Sequence, residues 1–166
     1  MAPPPMIDFE KLDLRAAFDL AIMIEEDAQM RYEELARTFA DDDGGAARVF
    51  RDMAVNEAKH RRELDSRRRV LFRRDPRIEI SVLDAAGVEE PYVGDRSPPL
   101  TAREALEIAL AAEVSAYHFY AGALPRIADE EVRAFFRDLM EEEQQHQALL
   151  RERLAALGSA PDARAV

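Results

Sequence analysis

Phe50-Arg51-Asp52-Met53-Ala54-Val55-Asn56-Glu57-Ala58-Lys59-His60 returns 86 residues later as Phe136-Arg137-Asp138-Leu139-Met140-Glu141-Glu142-Glu143-Gln144-Gln145-His146. Phe-Arg-Asp, an apolar residue, Glu and His occupy the same places in both copies. Glu and His three residues apart on a helix are separated by about 300° of rotation, so both leave one side of it, a turn apart. A carboxylate oxygen and an imidazole nitrogen so placed can meet one cation. One Glu-x-x-His in an acidic chain is weak evidence. Two at matched positions of a repeat are specific.

The repeat extends toward the N-terminus. Leu12-Asp13-Leu14-Arg15-Ala16-Ala17-Phe18-Asp19-Leu20-Ala21 aligns with Leu100-Thr101-Ala102-Arg103-Glu104-Ala105-Leu106-Glu107-Ile108-Ala109, at a shift of 88. Without a gap, Glu25 then meets Glu113 and Tyr32 meets Tyr120. Apolar residues spaced by three and four, such as Leu20, Ile24, Ala28 and Leu35, mark amphipathic helices. Asp13 and Thr101 stand where N-caps belong, and Thr101 with Glu104 forms a capping-box pattern. Asp41-Asp42-Asp43-Gly44-Gly45 and the stretch from Pro125 to Asp129 interrupt the helices, and Gly158 and Pro161 close the last one. These signals predict helices near 13–39, 46–73, 101–123 and 129–157.

The whole reads as an all-α four-helix bundle made of two repeated helical hairpins, spanning 12–158. Residues 75–100 hold four prolines and a short β-like piece, Ile78-Glu79-Ile80-Ser81-Val82. Their length suits a crossover connection running along a bundle. Residues 1–11 and 159–166 read as N- and C-terminal tails.

Composition narrows the chemistry. The 166 residues contain no cysteine, which excludes disulfides, thiolate metal sites and a thiol nucleophile. Any metal must be held by carboxylate, imidazole or water. A net charge of −11 disfavours a nucleic-acid partner. The N-terminus lacks the basic and apolar regions of a signal peptide, and no uncharged apolar run approaches the roughly 18 residues of a membrane span. The expectation is a soluble cytoplasmic protein with no membrane partner.

Glu25 and Glu113 sit among small apolar residues, Ala21 and Ala28 for the first, Ala109, Ala112 and Ala116 for the second. Four carboxylates gathered in a dry core repel one another and lose their hydration, so they cannot all stay ionised unaided. Two divalent ions supply +4 against −4, and two neutral imidazoles complete a donor set suited to iron or manganese. The bland alternative, an amphipathic bundle with incidental surface Glu and His, leaves the doubled register unexplained.

Glu25-x6-Tyr32, Glu57-x-x-His60, Glu113-x6-Tyr120 and Glu143-x-x-His146 resemble the pattern of the ferritin-like superfamily, and most of all its rubrerythrin-like branch, over about residues 12–157. The ferritin-like di-iron layout takes one Glu from each of two helices and Glu-x-x-His from each of the others. The resemblance implies that Glu25, Glu57, His60, Glu113, Glu143 and His146 ligate two iron ions, with Glu57 and Glu143 bridging. It also implies that Tyr32 and Tyr120 hydrogen-bond to ligand carboxylates. Rubrerythrins proper carry a four-cysteine rubredoxin-type centre that this cysteine-free sequence cannot build. They also carry an extra Glu one turn after the third-helix ligand, where this chain has Ala116. The sequence is similar as well to the ferritin-like domain of membrane-bound ferritins (erythrins).

Three neighbouring features adjoin this set. Glu142 lies four residues before His146 and competes geometrically with Glu143, but its repeat partner is Asn56, which favours Glu143. His118 is about 140° round the helix from Glu113 and reads as a packing or surface residue. Arg61-Arg62, Arg67-Arg68-Arg69 and Arg73-Arg74 read as a solvated face ahead of a docking patch.

The functional expectation is a non-haem di-iron protein reacting with peroxide or dioxygen, as a peroxidase or a ferroxidase that takes ferrous ion as substrate. An external electron donor protein and a homodimer are the expected partners. The alternatives are a bundle stapled by metal for structural or interaction purposes, and a di-iron oxygenase acting on an organic substrate.

Overall fold

The computed structural model describes residues 13–41, 45–73, 76–77 and 99–158. The tails, the β-like piece at 78–82 and most of the 75–100 crossover lie outside the described residues. Four helices run in order: α1 Leu14–Thr38, α2 Ala46–Phe72, α3 Ala102–Ala123 and α4 Glu130–Gly158, with a 3-10 turn at Leu124–Arg126 before α4. No strand occurs among the described residues. No helix among them is long and apolar enough to cross a membrane.

Local chemistry accounts for the helix starts. The Asp13 carboxylate accepts from the Ala16 N–H at 2.7 Å. Thr101 and Glu104 form the full capping box, each side chain accepting from the other's backbone N–H. Asp129, read from sequence as the first residue of its helix, is instead the cap, accepting from the Val132 N–H at 2.9 Å. Gly45 begins α2 in the left-handed region at φ 78°, a conformation glycine adopts without a Cβ clash. Before α4, the Arg133 guanidinium donates to the Ile127 carbonyl from Nε at 2.9 Å and Nη2 at 2.5 Å, holding the turn after Pro125 closed.

α1 packs along α2, and α3 along α4, giving two hairpins. The buried apolar side chains form two layers. One contains Phe18, Leu64, Tyr120, Phe136 and Leu139; the other contains Tyr32, Leu35, Phe50, Met53, Leu106 and Leu150. Repeat-equivalent residues fall in opposite layers: Phe18 and Phe136 in one, Leu106 and Phe50 in the other. The duplicated sequence thus builds the same plug twice, and the polar residues of the repeat lie between the two plugs.

One buried ion pair breaks the duplicated pattern. Arg68, read from sequence as part of a solvated arginine face, is buried, and its guanidinium grips the Asp19 carboxylate with both Nε and Nη2. Nη2 also donates to the Pro76 carbonyl at 3.3 Å, tying the chain beyond α2 to the bundle. The repeat equivalents are Glu107 and Leu154, so self-comparison gives no hint of the pair. Arg67 departs from a solvated face too, lying 4.1 Å over the Phe135 ring.

Removing one member of a buried pair strands the other in low dielectric. Asp19→Ala is therefore expected to lower stability by about 3–5 kcal/mol. Replacing both residues with apolar ones of similar volume (Asp19→Leu with Arg68→Met) should recover most of the loss. Urea unfolding of the single and double variants checks this; a single variant as stable as the parent would refute it.

Candidate metal centre

Each helix contributes at the same level between the two apolar layers. α1 places Glu25 and α3 places Glu113; α2 supplies Glu57 and His60, α4 supplies Glu143 and His146. All six side chains are buried. Donor atoms of Glu25, Glu57, His60 and Glu143 lie within 4.8 Å of one another, as do donors of Glu57, Glu113 and His146. Glu57 belongs to both groups. It stands between two adjoining sets of donors.

The imidazoles turn the same atom inward. His60 Nδ1 lies 3.4 Å from Glu25 Oε2 and 3.3 Å from Glu57 Oε2. His146 Nδ1 lies 3.0 Å from Glu113 Oε2 and 3.1 Å from Glu57 Oε1. The rings are nearly parallel, 6.2 Å apart. Each tyrosine reaches across to the other hairpin: Tyr32 donates to Glu113 Oε1, and Tyr120 donates to Glu25 Oε1. A side-chain N–H of the buried Gln147 donates to the Glu113 carbonyl at 3.3 Å, joining α4 to α3.

Two features depart from the sequence reading or escaped it. Glu142 is no rival to Glu143 in the donor groups; its carboxylate pairs with the outer nitrogen of His60, Nε2, from across the bundle. The Glu-Glu-Glu run before His146 marked the residue but not the partner. Arg31 is buried on α1 beside the carboxylates, where the charge of Glu113 helps to keep it cationic against burial. Its sequence neighbours carry no sign of this. His118 is exposed and stays out of the cluster.

The donor atoms fit a cation better than they fit one another. Glu25 Oε2, Glu57 Oε1 and His60 Nδ1 are fully buried and make no hydrogen bond. A buried polar atom without a partner is costly, and three of them within the two donor groups call for positive charge there. Carboxylate oxygen with imidazole nitrogen is the donor chemistry of iron, manganese or zinc.

The sequence model of the rubrerythrin family matches residues 17–154. The chain belongs to the rubrerythrin family. Among solved structures, an uncharacterized conserved protein from Magnetospirillum magnetotacticum MS-1 is similar at 29% identity and a TM-score of 0.73, covering 93% of this chain and 100% of that one. A hypothetical protein from Pyrococcus furiosus shares the fold at 21% identity and a TM-score of 0.68, covering 90% of this chain and 94% of that one. No curated protein matches. The rubrerythrin-family match and the buried carboxylate–histidine cluster together indicate metal binding.

In this rubrerythrin-family chain, protons offset the buried charge when metal is absent. Burial pushes the Glu25 carboxyl up to about 8 against the pull of His60. Burial and the charge of Glu113 drive Glu143 well above the usual carboxylate range. Burial acts the same way on Glu57, but the His146 and His60 imidazoles outweigh it and hold that carboxyl far down. Burial also lowers both imidazoles, and again the neighbours win: Glu25 and Glu57 raise His60 to about 11, while Glu113 and Glu57 raise His146 to about 10.

These shifts set the direction of a pH response. Glu25, His60 and His146 bind protons more tightly folded than unfolded. The stability they contribute is complete below their ordinary values of 4.5 and 6.5, and is lost as pH rises through about 8, 10 and 11. Glu57 works oppositely, losing its contribution as pH falls below 4.5. The metal-free chain should resist urea best between about pH 5 and 6 and weaken steadily toward about pH 9. Urea midpoints across that range check it, with Glu25→Gln expected to flatten the lower part of the decline. A midpoint that climbs toward alkaline pH contradicts the assignment.

Proposed function

We propose that this chain is a di-iron carboxylate protein that reacts with peroxide or dioxygen, of the rubrerythrin-like peroxidase or ferroxidase type. One observation carries the reading: four buried glutamates and two inward-facing imidazoles from both hairpins meet at one level, with Glu57 shared between two donor groups. Glu25, His60 and Glu143 with Glu57 would hold one ion, and Glu113 and His146 with Glu57 the other. Held by these residues, two ferrous ions would supply the two electrons that, with two protons, reduce one peroxide to two waters.

The residues of the chain do the rest. Tyr32 and Tyr120 fix the carboxylates of the opposite hairpins in orientation. The apolar layers on either side keep bulk water out. A cavity of about 10 Å³, walled by Ala28, Ala112 and Ala116, opens onto Glu25, Glu57, Glu113 and Glu143. That is room for about one water, which favours a small oxidant over an organic substrate. Ala116 helps to make the space where rubrerythrins proper carry a further Glu. We assign re-reduction between turnovers to an electron donor outside these 166 residues, which hold no cysteine for a rubredoxin-type centre; an external electron donor protein is the proposed partner. The working form in this proposal is a cytoplasmic homodimer.

Elemental analysis of the protein from its native host is expected to return two iron ions per chain. After anaerobic ferrous loading, peroxide should raise a near-ultraviolet charge-transfer band that disappears and returns when reductant and peroxide alternate. A band that forms once and never recovers would identify a metal staple instead. Glu57→Ala and His60→Ala should each lower bound iron while the far-ultraviolet dichroism stays helical; unchanged iron content in both would sink the proposal.

A further inference from the structure

The two halves of the site differ in what stands behind the histidines. His60 presents Nδ1 to Glu25 and Glu57, and its opposite nitrogen, Nε2, is engaged by Glu142 of α4. Glu142 is reached from the surface, with a side chain 38% exposed, whereas His60 is buried. An imidazole with a carboxylate on one nitrogen keeps its proton there and offers the other nitrogen's lone pair. This also makes the offered nitrogen a stronger donor. The bundle's repeat maps Glu142 onto Asn56, the residue that would stand behind His146. Asn56 is neutral and exposed. Among the described residues, the anionic support therefore stands behind one histidine of the pair.

We propose that Glu142 is a positioning residue that makes the two metal subsites unequal, so that the subsite of Glu25, Glu57, His60 and Glu143 binds a divalent ion more tightly and fills first. The inference rests on the dimetal reading above and adds an order of loading to it. Glu142 acts through His60, setting which nitrogen faces inward, and touches no metal itself. Asn56, in the mirrored place, leaves the His146 subsite without that charge.

The test is an anaerobic titration of the metal-free chain with Co(II), followed by the visible absorption bands of the bound ion. The expected wild-type result is two ions taken up in two resolved steps, with His60→Ala abolishing the tighter one. Glu142→Gln should weaken the tighter step by about 10–100-fold, the usual cost of losing a carboxylate behind a metal-binding imidazole, and leave the weaker step in place. Asn56→Glu should tighten the weaker step, a gain that a purely structural role for Glu142 does not predict. The proposal is overturned by a Glu142→Gln chain whose two steps match the wild type, or whose two steps weaken equally. Should that variant fail to fold by circular dichroism, an Asn56→Glu chain with an unmoved weaker step overturns it instead. Uptake of fewer than two Co(II) ions by the wild type is a different failure: it removes the dimetal reading itself.

Discussion

Four glutamates enclosed at one level of a helical bundle carry more negative charge than a dry interior tolerates. Positive charge has to come from somewhere. Without metal it comes from protons, held on Glu25 and Glu143 by burial and on His60 and His146 by the neighbouring carboxylates. With metal, cations replace those protons, so binding an ion and releasing protons are one event. Glu25 Oε2, Glu57 Oε1 and His60 Nδ1 are left without a hydrogen-bond partner, which a bound cation would supply.

The same cluster also joins the two halves of the molecule. Helices pack closely within each hairpin and stand further apart between hairpins. The gap is spanned by side chains: Tyr32 to Glu113, Tyr120 to Glu25, His60 to Glu142 and His146 to Glu57. Every one of these contacts crosses from one copy of the repeat to the other. A single hairpin carries a pair of carboxylates and an imidazole but none of these cross-links, so the site exists only when two copies meet. The apolar layers above and below then fix the spacing, because close-packed Phe18 with Phe136 and Tyr32 with Phe50 leave little room to slide.

Departures from two-fold repetition are where the chain acquires individual character. Asp19 with Arg68, Glu142 with His60, and Arg31 beside Glu113 have no counterpart in the other half. None breaks the fold, because each polar group is matched with opposite charge or a hydrogen bond in place. Among the described residues they polarise an otherwise symmetric scaffold, placing a carboxylate behind His60 and the buried Arg31 cation near the ligand carboxylates.

Helix identity, hairpin duplication and the six converging residues were all legible in the linear sequence, because each depends on spacing. A residue three positions on returns to the same side of a helix, and Asp13 or Thr101 caps a helix through atoms three residues away. Such relations are local, and a repeat doubles the signal. The destination of Glu142, the burial of Arg68 and the setting of Arg31 depend on which other helix lies opposite and at what height. Spacing along one chain segment carries no record of that: the Glu142–His60 contact joins residues 82 positions apart and the Arg68–Asp19 pair joins residues 49 apart. Those were decided by how the helices pack, α1 on α2 for Asp19 with Arg68 and one hairpin on the other for Glu142 with His60, where the low dielectric of the interior selects which charges must find each other.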